Sequence, residues 1–291
     1  IQCQYLGQGS GIRKHDLMET KEHIPAIADL KPFDTCVVVG RLNDARVAVS
    51  LTEDNILRVL DQYGIAEALV SSNFARLNSP HRRGNLWTTE FCRISPRLHP
   101  VWGFEPPHQP GRAAAREAVD DMRQAGAKVA RLLMGAGGSA PLQWWWKDLL
   151  EELQARRVPC LVDFGSCNYF AGETHSVPND SEIHQLREVV MAFPKMDFIL
   201  SHASGGLGIA KSALPLMGRC PNLHMDVTGV LDYWRNVVRD LGPERVFFAT
   251  GMPYYDPGMF IANAQYEPGL SLESRKMIYG GNIRRLMEAV S

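Results

Sequence analysis

Eight short apolar runs recur along this chain, spaced so that one helix fits between each pair, and this alternation is its most constraining feature. They are "FDTCVVVG" (33–40), "EALVSS" (67–72), "LHPVWGF" (98–104), "AKVARLL" (127–133), "PCLVDFG" (159–165), "DFILSH" (197–202), "LHMDVTG" (223–229) and "RVFFATG" (245–251). Apolar residues follow one another in these runs with little polar alternation, which suits parallel strands buried on both faces. Between them, residues 52–64, 111–126, 146–157, 180–193 and 231–242 repeat apolar side chains at helical spacing. In the first of these, Ile56, Leu57, Leu60 and Tyr63 share a face that Thr52 opens and Gly64 closes. The pattern predicts one α/β domain over residues 33–291, a closed (β/α)8 TIM barrel, with residues 1–32 as an N-terminal lead or cap.

A doubly wound sheet is the competing architecture. "GAGGSA" (135–140) follows a strand, opens a helix and reads GxGxxA, and Asp163 stands near the place where a dinucleotide fold puts its ribose acid. The motif falls at the fourth strand rather than the first, and "WWW" (144–146) would crowd a pyrophosphate. A βα loop at a barrel mouth is the simpler reading.

Charge and composition narrow the partners. Lys and Arg number 31 against 32 Asp and Glu, which leaves no cationic surplus to hold a nucleic acid by counterion release. No run approaches the ~20 apolar residues of a membrane span. Six scattered cysteines form no CxxC pair, and the opening "IQCQYLGQGSGIRKH" lacks the features of a secretory signal. The expectation is a cytoplasmic protein with reduced thiols and a small-molecule substrate, with neither nucleic acid nor membrane as partner. Three adjacent Trp cannot share one helix face, so a homodimer contact is expected to cover at least one of them.

In a barrel, chemistry gathers where strands end. Those ends carry Cys36, Val38, Arg41, Ser71, Ser72, Asn73, Glu105, Arg131, Asp163, His202, Asp226, Thr228, Thr250 and Met252. His202 closes an apolar strand ahead of "ASGG", and an imidazole there suits proton transfer near neutral pH. Asp163 interrupts "CLVDFG", and a buried carboxylate needs a partner. The two candidates are His202, whose ring it would orient, and Arg131, with which it would form a structural ion pair. Arg41 and Arg131 suit bidentate capture of a substrate carboxylate, with Glu105, Asn73 and Asp226 as further substrate-binding candidates. Cys36 has no base beside it in sequence. His15, His23, His81, His99, His108 and His175 show no HxH or HExxH spacing, and His184 has Glu188 at i+4.

Taken in order, "FDTCVVVGR", "HPVWGFEPP", "CLVDFG", "DFILSHASGG", "NLHMDVTG", "ERVFFATGMPYYDP" and "IYGGNIRRLM" resemble the amidohydrolase-related family, barrel hydrolases and decarboxylases that include aminocarboxymuconate semialdehyde decarboxylase. The resemblance runs from residue 33 to 290. It implies a metal held by an HxH pair on strand one, a His on strand five and an Asp on strand eight. Those places are taken here by Cys36 and Val38, by Asp163 and by Met252, whereas His202 matches the family's catalytic histidine. The expectation is therefore no cofactor, with zinc or another divalent metal on Cys36, Asp163 and His202 as the alternative. Two classes of function follow. One is a hydrolase of a small carboxylate-bearing ester, lactone or amide, with His202 as general acid/base and Asp163 orienting it, or else a non-oxidative decarboxylase on the same site. The other is a pseudoenzyme that binds a small molecule without converting it.

Overall fold

A computed structural model of the chain describes residues 26–40, 50–72, 81–105, 111–133, 143–163, 180–201, 207–228, 234–265, 267 and 269–291. Its eight strands are β1 (Phe33–Val39), β2 (Glu67–Ser72), β3 (Leu98–Phe104), β4 (Val129–Leu133), β5 (Cys160–Asp163), β6 (Phe198–Leu200), β7 (Leu223–Asp226) and β8 (Val246–Phe247). They lie side by side in chain order and pair in parallel throughout. Between β8 and β1 the circle is completed by a Val37–Met252 bridge and two backbone bonds. The Thr35 N–H donates to the Phe248 carbonyl at 3.0 Å, and the Val38 N–H to the Met252 carbonyl at 2.9 Å. A doubly wound sheet reverses its strand order at a switch point, so this topology excludes it. "GAGGSA" itself lies outside the described residues.

The helices that follow β1 to β7 are α1 (Ile56–Gln62), α2 (His81–Cys92), α3 (Arg112–Gln124), α4 (Gln143–Ala155), α5 (Asp180–Ala192), α6 (Leu207–Arg219) and α7 (Trp234–Leu241). The chain ends with α8 (Pro257–Gln265), α9 (Leu272–Lys276) and α10 (Asn282–Glu288). Five of these match the helical periods read from the sequence. Two crossover helices escaped that reading for physical reasons: α2 buries small and polar residues (Gly84, Asn85, Thr88), and α6 carries Pro215 inside it. Trp146 is wholly buried on α4, whereas Trp144 is 71% exposed. No described helix is long and apolar enough to cross a membrane.

Apolar side chains separate into two groups, and this separation shows which way each strand residue faces. Phe33, Leu69, Val101, Val129, Leu161, Ile199 and Phe247, one from each strand but β7, form a plug with Ile283, Leu286 and Met287 of α10. Their strand neighbours, including Val70, Trp102, Ala130, Leu132, Val162, Leu200, Met225 and Phe248, pack outward with the helices. Strand side chains alternate, so the residue two beyond a plug residue points back into the barrel.

Beneath the plug, α10 is tied to the strand starts. Asn282 Nδ2 donates to the Pro243 and Val246 carbonyls, each at 2.9 Å, and Arg284 Nε donates to Glu67 at 2.8 Å. Glu67 also meets His99 Nε2 at 2.8 Å, and His99 stacks on Phe33. This face closes the base, and the opposite face is left for chemistry.

Candidate active site

One step above the plug, the barrel interior changes character. Ser71 on β2, Gly103 on β3, Arg131 on β4, Asp226 on β7, and Ser201 and Ala249 just past β6 and β8 occupy inward positions, with outward-packed residues beside them. On β2 this is confirmed from the other side, because Ser72 donates outward to the Gly84 carbonyl of α2 at 3.3 Å. Arg131 is 1% exposed, so a guanidinium sits within the barrel itself. Gly103 stands in register with it on β3. Asp226 is fully buried and accepts the Thr228 N–H at 3.0 Å. The hydroxyls of Ser71, Ser201 and Thr228 are buried and make no hydrogen bond. Each such hydroxyl costs about 1–3 kcal/mol. A layer this polar, over a plug this apolar, is costly as core and useful as a binding floor.

At the β1–β8 seam a second buried carboxylate has a structural task. Asp34 accepts the Cys36 N–H at 2.9 Å, the Thr250 N–H at 3.0 Å and the Thr250 hydroxyl, while Thr250 Oγ1 accepts the Met252 N–H at 3.2 Å. Burial pushes its carboxyl up to about 6, against the lowering effect of those bonds. Asp34 interrupts "FDTCVVVG" as Asp163 interrupts "CLVDFG", so the same sequence signal marks both.

Of the residues nominated from the sequence, Ser71, Arg131, Asp226 and Thr228 are brought into this layer. Cys36, between the outward-packed Val37 and the seam, is buried on β1. Asp163 ends β5 in register with Leu133, and its side chain is outside the described set, as are Arg41, Asn73 and His202 altogether. Glu105, just past β3, meets the imidazole of His81. His224, which sequence reasoning passed over, meets Asp197 at 2.8 Å on the plug side, and burial lowers its pKa while Asp197 opposes that. Cys92, Cys160 and Cys220 are buried, and burial raises the pKa of each thiol, that of Cys92 to about 12.

The family model described as amidohydrolase matches residues 65–288, more than half of the chain. The protein belongs to the amidohydrolase family. No curated protein matches it in sequence. Among solved structures, it is similar to 5-carboxyvanillate decarboxylase from Sphingomonas paucimobilis, at 15% identity and a TM-score of 0.67, over 90% of this chain and 100% of that one. It is also similar to a dihydroxybenzoic acid decarboxylase from Polaromonas sp. JS666, crystallised with manganese and 2-nitroresorcinol (16%, TM-score 0.69, 88% and 96%). A third is 4-oxalomesaconate hydratase from Rhodopseudomonas palustris (14%, TM-score 0.64, 89% and 96%). At these identities the likeness is one of fold.

The manganese of that relative raises the question of whether this amidohydrolase barrel can hold such an ion. On β1, Cys36 offers a thiol and Val38 no donor at all. Just past the eighth strand, Met252 packs outward with Val37, and Gly251 precedes it. At Gly251 φ is +68°, and an added Cβ would lie 2.6 Å from Thr228 Cγ2 and 2.9 Å from Tyr255 Cδ2. A side chain cannot enter there unless its neighbours move. Val38 and Gly251 offer no donor, and the Cys36 thiol suits zinc rather than a hard ion such as manganese. Among the described residues no three His, Cys, Asp or Glu side chains are grouped to hold a metal.

Proposed function

We propose that this barrel is a non-oxidative decarboxylase of a small carboxylic acid bearing at least one further hydroxyl, and that it works without manganese such as the dihydroxybenzoic acid decarboxylase holds. The observation that carries the reading is the polar layer itself: a buried Arg131 with the unpaired hydroxyls of Ser71, Ser201 and Thr228. A fixed guanidinium supplies paired donors for an anionic group, and the hydroxyls supply short-range contacts for the substrate's own. Decarboxylation asks little more of a protein. The carbon–carboxylate bond breaks, its electron pair stays on the carbon, CO2 leaves and a general acid provides the replacing proton. The names of two similar structures, decarboxylases of hydroxylated aromatic acids, support the same chemistry.

His202, oriented by Asp163, is the acid that the sequence nominates, and Arg41, Asn73 and Asp226 are proposed to line the substrate at the same mouth. Hydrolysis of an ester, lactone or amide is the second reading, favoured by the family's description. It demands an activated water and a stabilised oxyanion, which a seam of Cys36, Val38 and Gly251 does not supply. A panel of carboxyl-13C hydroxybenzoic acids, run beside a panel of esters, lactones and amides, separates them. Labelled bicarbonate with the matching decarboxylated product is the expected outcome. Turnover confined to the second panel would establish the hydrolase, and binding without any turnover would establish the pseudoenzyme.

A further inference from the structure

Of the buried apolar side chains among the described residues, Cys36, Val38 and Ala249 alone belong neither to the plug nor to the shell that packs with the helices. All three lie along the β8–β1 seam. Val38 stands between Val37 and Val39, both packed outward, and it is in register with the inward Ser71 of β2. Ala249 follows the plug residue Phe247 and the outward-packed Phe248, continuing the alternation of β8. Both therefore share the layer of Ser71 and Arg131, one step above the plug. The eight strands close in chain order, which sets β8 across the barrel from β4. Arg131 on β4 thus has the Ala249 side opposite it, and hydrocarbon faces guanidinium. The layer is divided: its unpaired hydroxyls come from β2 and from just past β6 and β7, whereas the seam offers the side chains of a valine and an alanine.

We propose that Val38 and Ala249 are specificity-determining residues, an apolar wall that receives the edge of the substrate opposite its carboxylate. The preferred acid then keeps its polar groups in the carboxylate half and is hydrocarbon at the far edge. This rests on the reading above for the carboxylate on Arg131, and the bond-breaking step plays no part in it. A hydroxyl at the far edge gives up its water against Val38 and Ala249 and gains no hydrogen bond from either side chain, so binding weakens. A methyl group of similar size loses nothing there.

The test is calorimetric titration of the full chain with 2-hydroxybenzoate and with its 4-methyl and 4-hydroxy derivatives, whose 4-substituents lie opposite the carboxylate. The 4-methyl acid is expected to bind at least as tightly as 2-hydroxybenzoate, and the 4-hydroxy acid about 10–100-fold more weakly than the 4-methyl one. Val38→Thr keeps the shape of the side chain and adds a hydroxyl, so it narrows that gap about three- to tenfold. Should Val38→Thr melt below the assay temperature, Ala249→Ser makes the same test from the other side of the seam. Equal affinities for the two derivatives in the wild type, or a gap that neither variant narrows, would overturn the wall. The expected ratio in a protein that releases no CO2 from the labelled panel would uphold the wall and refute the decarboxylase. Binding of none of the three acids would overturn the wall together with the carboxylate site on Arg131.

Discussion

A hydroxyl buried without a partner destabilises the fold that contains it, and Ser71 and Ser201 are two such residues facing the barrel interior. Replacing either by Ala is therefore expected to leave stability unchanged or raise it by up to about 1 kcal/mol, while weakening the binding of small carboxylates. Urea unfolding without ligand, paired with calorimetric titration of 2-hydroxybenzoate, checks both halves. A loss of stability would mean that the hydroxyls are structural. Thr250 behaves in the opposite way. Its hydroxyl donates to the buried Asp34 carboxylate, so Thr250→Val leaves that charge short of a donor and costs about 1–3 kcal/mol in the same unfolding measurement. At this scale the sequence was legible where a polar residue interrupts an apolar run, as at Arg131 and Asp226. Asp34 interrupts its apolar run in the same way, and its place at the seam follows only from the pairing of β1 with the chain after β8. Nothing in the sequence foretold the His81–Glu105 contact, because 24 positions separate the two and only the docking of α2 on β3 unites them.

The helix α10 contributes Ile283, Leu286 and Met287 to the plug and Arg284 to Glu67, and it thereby fixes the base of the barrel. His99, with Arg284 beside it, holds the Glu67 carboxyl below its ordinary range, and burial partly opposes this. A depressed carboxylate stabilises the folded state above its unfolded pKa, and that contribution is lost as pH falls through the folded value. Glu67→Gln is accordingly expected to destabilise by about 1 kcal/mol at pH 7 and by progressively less as the solution is acidified below pH 4, the pair being partly exposed. Denaturation midpoints at pH 7 and pH 3 would show the two proteins converging; a constant gap would assign the effect to packing. Strands and regular helices were readable from apolar spacing alone. α2 was not, since it docks through Asn85 and small residues, and β8 is shorter than its apolar run because from Phe248 onward the backbone bonds to β1 and to the Ile278 carbonyl.

Over the whole molecule, one end of the barrel is closed by hydrocarbon and the other holds a guanidinium, carboxylates and hydroxyls. That polarity is what a strand-end active site requires, and eight apolar runs were enough to foresee the barrel that creates it. The substitutions on β1 were visible in the sequence as Cys36 and Val38. The crowding past the eighth strand was not, because only the folded chain brings Thr228 and Tyr255 against Gly251. The most direct test of the account is CO2 release by protein dialysed against a strong chelator, for the wild type and Arg131→Lys in parallel. The account predicts that turnover survives dialysis unchanged and falls at least about 100-fold in Arg131→Lys, where the charge remains but the paired donors are lost. Turnover that vanishes on dialysis and returns with manganese, in wild type and variant alike, would contradict it.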